Sequence, residues 1–242
     1  MTVKKRIDQL LVERKLVDSR EKAQALILAG SVLVNGQREV KAGHSIAVDS
    51  RVELVEAPKY VGRGGLKLEA ALEHWHIDVN GAICLDVGSS TGGFTDCLLQ
   101  HGAARVYAID VGTNQLDWRL RSDPRVLVQE QVNARYLTSA HVPEPVRLAV
   151  SDVSFISVTM IVPVLPALLA PAGKMVILVK PQFELERGQV GKGGIVRDSE
   201  LHRIACERVA ASVRHLGFLV DIIPSPILGA EGNREFLLYA SH

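Results

Sequence analysis

The residues best suited to chemistry in this chain of 242 residues lie in the run Asp86-Val87-Gly88-Ser89-Ser90-Thr91-Gly92-Gly93-Phe94. An acidic residue, Asp86, ends an apolar stretch, and three glycines then allow tight turning and close approach of backbone to a ligand. A nicotinamide-dinucleotide loop would read G-x-G-x-x-G and set a pyrophosphate on the next helix N-terminus, whereas this loop reads D-x-G-x-x-x-G-G. The acidic entry disfavours a pyrophosphate and suits a cationic ligand, since opposite charges attract in a partly desolvated cleft. Asp110 closes the next apolar stretch, where a carboxylate can accept hydrogen bonds from both hydroxyls of an adenosine ribose. Gln131 and Asn133 follow the third stretch, where their amides can meet an adenine edge.

A ligand with a ribose, an adenine and positive charge is S-adenosylmethionine, which carries an ammonium and a sulfonium. Its expected contacts are Asp86, Gly88, Ser90, Gly92, Phe94, Asp110, Gln131 and Asn133, joined by Asp152 after the fourth apolar stretch. No metal is expected. Cys84, Cys97 and Cys206 lack C-x-x-C spacing, and His74 and His76 flank Trp75 at a separation that shares no helical face. Scattered cysteines fit a reducing cytoplasm, and Met1 to Arg6 is not followed by the apolar run of a signal peptide. The glycine-rich segment 188–194 is not a P-loop, because G-x-x-x-x-G-K-[ST] is absent.

To bring these residues together the chain needs strands that end side by side. From Tyr60 onward, short apolar stretches at 83–87, 106–109, 126–128, 148–150, 175–179, 219–223 and 236–239 alternate with helical segments. Strands apolar on both faces and separated by helices predict a parallel sheet covered on both sides, a doubly wound, Rossmann-like α/β domain. The first quarter has a different rhythm. Ile7, Leu10 and Leu11 mark a short helix, Ser19 caps a second that Gly30 stops, and Asn35-Gly36 turns a hairpin between 32–34 and Val40. Further short strands fall at 46–48 and 52–55. The expected organisation is a small α+β domain over residues 1–57, a linker at 58–62 and the α/β domain over 63–242.

Net charge is only +1, yet residues up to Arg63 carry 12 basic and 8 acidic groups against 16 and 19 afterwards. Such asymmetry suits a basic nucleic-acid-binding module joined to a near-neutral catalytic domain. The uncharged stretch Val153 to Gly173 is about long enough to cross a bilayer. Pro163, Pro166 and Pro171 would break helical hydrogen bonds there, so a buried strand end followed by a core helix is expected, with no stable membrane association.

Five blocks carry a family resemblance: residues 60–68 (YVGRGGLKL), the glycine loop, residues 151–157 (SDVSFIS), residues 178–184 (LVKPQFE) and residues 232–235 (GNRE). Across its whole length the chain resembles TlyA-type (hemolysin A-like) RNA methyltransferases, relatives of the FtsJ-type ribose 2′-O-methyltransferases. Residues 1–57, with Arg6-Ile7-Asp8 and Ser19-Arg20, resemble the small RNA-binding fold first named for a ribosomal small-subunit protein. The resemblance implies a catalytic tetrad on Lys67, Asp152, Lys180 and Glu235 and a cytidine ribose of ribosomal RNA, or of a ribosomal subunit, as target. Asp152 and Lys180 follow neighbouring strands and Glu235 opens an antiparallel one, so all three should meet at one sheet edge. A ribose hydroxyl is a poor nucleophile that gains from positioning and proton removal, which makes Lys180 the expected general base. An ordinary lysine is protonated at neutral pH, so this role calls for burial and a neighbouring cation, for which Lys67 is the candidate. Asp152 would orient Lys180, and Glu235 would fix Lys67. Base methylation through an Asn/Asp-Pro-Pro-aromatic motif does not match Asp152-Val153-Ser154-Phe155.

RNA phosphates are expected to meet Arg6, Lys15, Arg20, Lys22 and Asn35 on the small domain, and Arg63, Arg187 and Lys192 on the large one. Two readings of other classes compete. One is a membrane-active, hemolysin-like protein, supported only by the uncharged stretch; the other is an RNA-binding protein without catalysis.

Overall fold

The computed structural model describes residues 3–56, 58–229 and 232–242, and its contacts divide the chain into two compact units, Met1–Lys59 and Tyr60–His242. Ala57 of the expected small domain lies outside the described residues, as does the side chain of Arg187.

The first unit runs β1 (Lys4–Arg6), α1 (Ile7–Glu13), α2 (Arg20–Leu28), β2 (Val32–Val34), β3 (Gln37–Arg38), β4 (Ser45–Ala47) and β5 (Val52–Leu54). Ser19 caps α2 by accepting the N–H of Lys22 at 3.2 Å, which satisfies one of the donors every helix start leaves open. Strands β3, β2 and β5 form one antiparallel sheet and β1 pairs with β4. Ile7, Leu10 and Leu11 of α1 pack with Ala23 and Ile27 of α2 and with Val32 and Ile46 to make its core. Asn35 occupies the β2–β3 turn at φ +51°, and its Oδ1 accepts the N–H of Arg51 at 3.0 Å.

The second unit runs α3 (Gly64–His74), β6 (Ile83–Val87), α4 (Gly93–Gln100), β7 (Arg105–Ile109), α5 (Trp118–Arg121), β8 (Val126–Gln129), β9 (Val146–Ser151), β10 (Leu169–Val179), α6 (Pro181–Glu184), α7 (Ser199–His215), β11 (Leu219–Pro224) and β12 (Phe236–Ser241). One sheet takes the order β11-β12-β10-β9-β6-β7-β8. Strands β10, β9, β6, β7 and β8 are mutually parallel, and β12 is antiparallel to both β10 and β11. Side chains alternate across the sheet. Cys84, Val106, Ala108, Leu148, Val150, Val176 and Leu178 pack with α3 and α4 on one face, while Leu85, Val87, Ile109, Ala149, Met175 and Ile177 pack with α7 on the other. Both faces are covered, which is why these strands read as mostly apolar runs.

Two expectations change. Residues 60–62, expected as linker, belong to the larger unit: Tyr60 is 4% exposed, its hydroxyl donates to Glu69 at 2.8 Å, and the N–H of Val61 donates to Asp96 at 2.8 Å. The expected core helix after residue 153 is absent. Three short 3₁₀ turns, Val158–Met160, Val162–Val164 and Pro166–Leu168, take its place, because Pro163 and Pro166 lack the N–H that an α-helical turn would need. Among the described residues no helix is long and apolar enough to cross a membrane.

Candidate active site

The site lies where the parallel strands end. Val87 of β6 pairs with Ser151 of β9, so Gly88 and Asp152 leave the sheet level with each other, and the N–H of Asp152 donates to the carbonyl of Val87 at 3.0 Å. Gly88 has φ +82°, and a Cβ there would lie 2.7 Å from the Asp152 carbonyl oxygen, so only glycine lets the two loops close on each other. Phe236 of β12 pairs with Val179 of β10, so Glu235, one residue before β12, falls beside Lys180, one residue after β10. Lys67 arrives from α3. That helix starts against α4 through Gly62, Gly64, Gly65 and Gly93; a Cβ on Gly93 would lie 3.0 Å from the Gly65 nitrogen. The glycines of the 60–68 block therefore set the distance at which α3 carries Arg63 and Lys67 to the sheet edge.

Two ion pairs organise the floor. Lys67 Nζ donates to Glu235 Oε2, with both residues buried, and Lys180 Nζ lies 2.5 Å from Asp152 Oδ1 and donates to Ser154 Oγ at 2.8 Å. Lys67, Asp152, Lys180 and Glu235 line one pocket of about 600 Å³, together with Arg63, Ser154, Phe155, Gln182, Phe183 and Asn233. Each lysine thus has its own carboxylate partner. The Lys67–Glu235 pair is the one expected from the sequence, and Lys67, expected beside Lys180 as a neighbouring cation, lines the same pocket as Lys180 with no direct contact between the two among the described contacts.

A second cleft of about 420 Å³ adjoins the first and shares Ser90, Asp152, Ser154 and Phe155 with it. Gly88, Asp110, Val111, Asn133, Ala134 and Arg135 complete its walls. Asp110 is fixed at its rim: Oδ2 accepts the N–H of Ser90 and Oδ1 that of Gly112, each at 2.7 Å. Each oxygen keeps a further lone pair for a ligand hydroxyl. Ser90 stands at φ +46°, an uncommon conformation for a side-chain-bearing residue, and its bond to Asp110 holds it there. Gly88, Ser90, Phe94 and Asp152 also line a smaller hollow above the start of α4.

Asp86, Gly92 and Gln131, expected at the cofactor, line none of these cavities. Asp86 is the fourth residue of β6, not its end, and is fully buried beneath α4, where its Oδ2 accepts a hydrogen bond from Thr95 Oγ1 at 2.6 Å. Gly92, at φ +97°, is the N-cap of α4 and leaves room for Leu116 and Leu120. Gln131 is exposed at φ +59°, and the neighbouring Val132 and Asn133 face the cleft instead. Asn133 caps the 3₁₀ turn Ala134–Tyr136. Of the basic residues expected at RNA, Arg63 lines the first pocket, and Lys15, Lys22 and Lys192 are exposed.

Burial pushes the Asp86 carboxyl up to about 7, with Asp152 and Asp110 adding to the rise and the Thr95 hydrogen bond opposing it. A folded-state value above the ordinary 3.8 means the folded chain holds this proton more tightly, so its stabilising effect is complete below about 3.8 and lost as pH rises through about 7. Asp86→Asn should therefore gain stability relative to wild type as pH rises across that window, read as the difference in urea midpoints. A difference that stays flat with pH would contradict it.

Glu184 was not singled out for any role. It is 2% exposed at the end of α6, accepts from Ser157 Oγ at 2.5 Å and from the N–H of Val158 at 2.8 Å, and its own carbonyl accepts from Arg208 at 2.7 Å. It ties the segment that carries Lys180 to the one that carries Asp152 and Ser154. The available signal was its place at the end of the block Pro181-Gln182-Phe183-Glu184, close after the candidate base Lys180. Asn233, 2% exposed, likewise ties the segment before Glu235 to the glycine-rich loop through Gly194 and Val196.

Among the described residues, no three His, Cys, Asp or Glu side chains cluster so as to hold a metal ion.

Comparison with known proteins agrees with this architecture. The FtsJ-like methyltransferase model matches residues 60–242, and the S4 domain model matches residues 5–51. The 16S/23S rRNA (cytidine-2′-O)-methyltransferase TlyA of Mycobacterium tuberculosis is 43% identical over 99% of this chain and 90% of its own length. Hemolysin A of Brachyspira hyodysenteriae is 45% identical over 97% of this chain and 98% of its own. A solved hemolysin-like structure from Streptococcus thermophilus superimposes with a TM-score of 0.76 at 45% identity, covering 100% of this chain and 89% of that one. The chain belongs to the FtsJ-like methyltransferase family and carries an S4 domain ahead of its catalytic domain.

Proposed function

We propose that this protein transfers a methyl group from S-adenosylmethionine to the ribose 2′-hydroxyl of a cytidine in ribosomal RNA, with Lys180 as the general base. The observation that carries this is the adjacency of the two cavities: a cleft with Asp110 at its rim opens, across Asp152 and Ser154, onto a pocket floored by Lys67, Lys180 and Glu235. The cytidine ribose is taken from relatives whose names state that target.

The cleft suits S-adenosylmethionine in size and donor set. Gly88 leaves open the space that a Cβ would fill, Asp110 offers acceptors for ribose hydroxyls, and Asp152 offers negative charge toward a cationic centre. When bound, that molecule supplies an electrophilic methyl group on sulfur. Lys180 takes the proton of the attacking hydroxyl. Asp152 and Ser154 hold its Nζ in place, and Glu235 holds Lys67 so that its ammonium faces the sugar. The gain is one of positioning and proton removal. Arg63, Arg187 and Lys192 grip the target strand, while Arg6, Lys15, Arg20 and Lys22 of the S4 domain meet phosphates elsewhere on the RNA. A cytoplasmic location follows from that substrate.

The test is transfer of tritiated methyl to ribosomal RNA from cells that lack the enzyme, followed by mapping of 2′-O-methyl groups. Label on a cytidine ribose is expected. Label on a base, or wild-type incorporation no greater than that of Lys180→Ala, would overturn the proposal.

A further inference from the structure

We propose that Asp8, although negative, strengthens RNA binding, because it holds Arg6 and Arg20 together as a ready-made site for a backbone phosphate. This rests on the proposed RNA-facing role of those two arginines. Asp8 is fully buried at the first turn of α1. Its carboxylate takes Arg6 as a fork, Nε on Oδ1 at 3.0 Å and Nη2 on Oδ2 at 2.9 Å. The same Oδ2 accepts from Arg20 Nε at 2.9 Å and from Gln24 Nε2 at 3.0 Å, while Oδ1 also accepts the N–H of Gln9 at 2.9 Å. These contacts hold the Asp8 carboxyl well below the usual carboxylate range, with the Arg6 bond the largest cause.

One buried negative charge thus gathers two guanidiniums, and the cluster keeps a net charge of +1. Both arginine side chains remain nearly half exposed, at 41% and 47%. Arg6 Nη1 and the two terminal nitrogens of Arg20 take part in no hydrogen bond among the described residues. Donors facing solvent from two immobilised guanidiniums suit the tetrahedral oxygens of a phosphate, and their rotamer freedom is already spent before RNA arrives. Lys15 and Lys22 are fixed less firmly: Lys22 reaches only the exposed Asp18, at 3.3 Å. Simple electrostatics makes the opposite prediction, that deleting an acidic group from a basic surface tightens RNA binding. The sign of the effect therefore separates the two.

The experiment uses the full chain with deproteinised 16S and 23S ribosomal RNA, filter binding across a potassium chloride series, and thermal unfolding of every variant. Asp8→Asn is expected to weaken binding about tenfold, from the freedom regained by two long side chains, with the salt slope unchanged. Arg6→Ala and Arg20→Ala should each weaken binding and lower the slope by about one phosphate contact. Arg6→Lys conserves charge but cannot make the fork, so it should behave like Asp8→Asn. Were Asp8→Asn to unfold the S4 domain, Arg6→Lys decides alone: unchanged affinity there overturns the proposal. Equal or tighter binding by folded Asp8→Asn also overturns it. If neither arginine-to-alanine variant changes affinity or slope, the RNA-facing role itself fails, which is a distinct result.

Discussion

Lys180→Ala should lower the single-turnover rate of methyl transfer about a thousandfold, within the range typical of a lost, positioned proton acceptor. Binding of S-adenosylmethionine, measured by calorimetry, should change far less, because the cleft walls at Gly88, Asp110 and Asn133 do not include this lysine. Lys180→Arg sharpens the test. Arginine keeps the charge beside Asp152 but stays protonated at any working pH, so it can neutralise the carboxylate and cannot remove a proton. Both variants should be comparably inactive. An arginine variant retaining most of the wild-type rate would show that this position contributes charge alone, and proton removal would have to be reassigned.

The second large effect concerns Lys67 and Glu235, buried at 7% and 4% exposure and paired directly. Removing one partner strands a charge away from water, and breaking such a pair typically costs about 3–5 kcal/mol. Lys67→Met and Glu235→Gln should each lower the melting temperature clearly. Replacing both by apolar residues of similar volume is often neutral, so Lys67→Met/Glu235→Met should recover most of the stability. It should not recover methyl transfer if the pair serves the substrate. Thermal unfolding together with the transfer assay separates the cases: recovery of both would make the pair purely structural, and recovery of neither would mean the site does not tolerate apolar replacement.

Much of the fold was legible because its sheet is covered on both faces. Continuous apolar stretches such as Val106–Ile109 and Met175–Val179 have no place on a surface, so their strand character and central position follow together. What failed was direction. Asp86 looked like the end of a strand because a glycine loop follows closely, yet counting by twos from Cys84 puts its side chain on the face covered by α4, where it meets Thr95. Gln131 and Asn133 are similar in chemistry and two residues apart, and the left-handed backbone at Gln131, which composition does not announce, turns only Asn133 toward the cleft. The apolar segment 158–168 carries no polar periodicity to distinguish a helix from successive 3₁₀ turns. Pairing was the hardest to read, since partners such as Glu184 with Ser157, or Asp8 with Arg20, meet only after the chain has folded back.

The partnership of Lys67 with Glu235 joins residues 168 positions apart. Strand β12, which Glu235 introduces, slots between β10 and β11, so it can be seated only after both flanking strands exist. During synthesis a nascent chain would already display its S4 domain and most of its cofactor cleft while Lys67 still lacked its counter-ion. Contacts of such long sequence separation form late, because the entropy of closing the loop must be met first. An unfinished or truncated copy would therefore hold RNA without modifying it, and competence to methylate would arrive with the final strand as a single step.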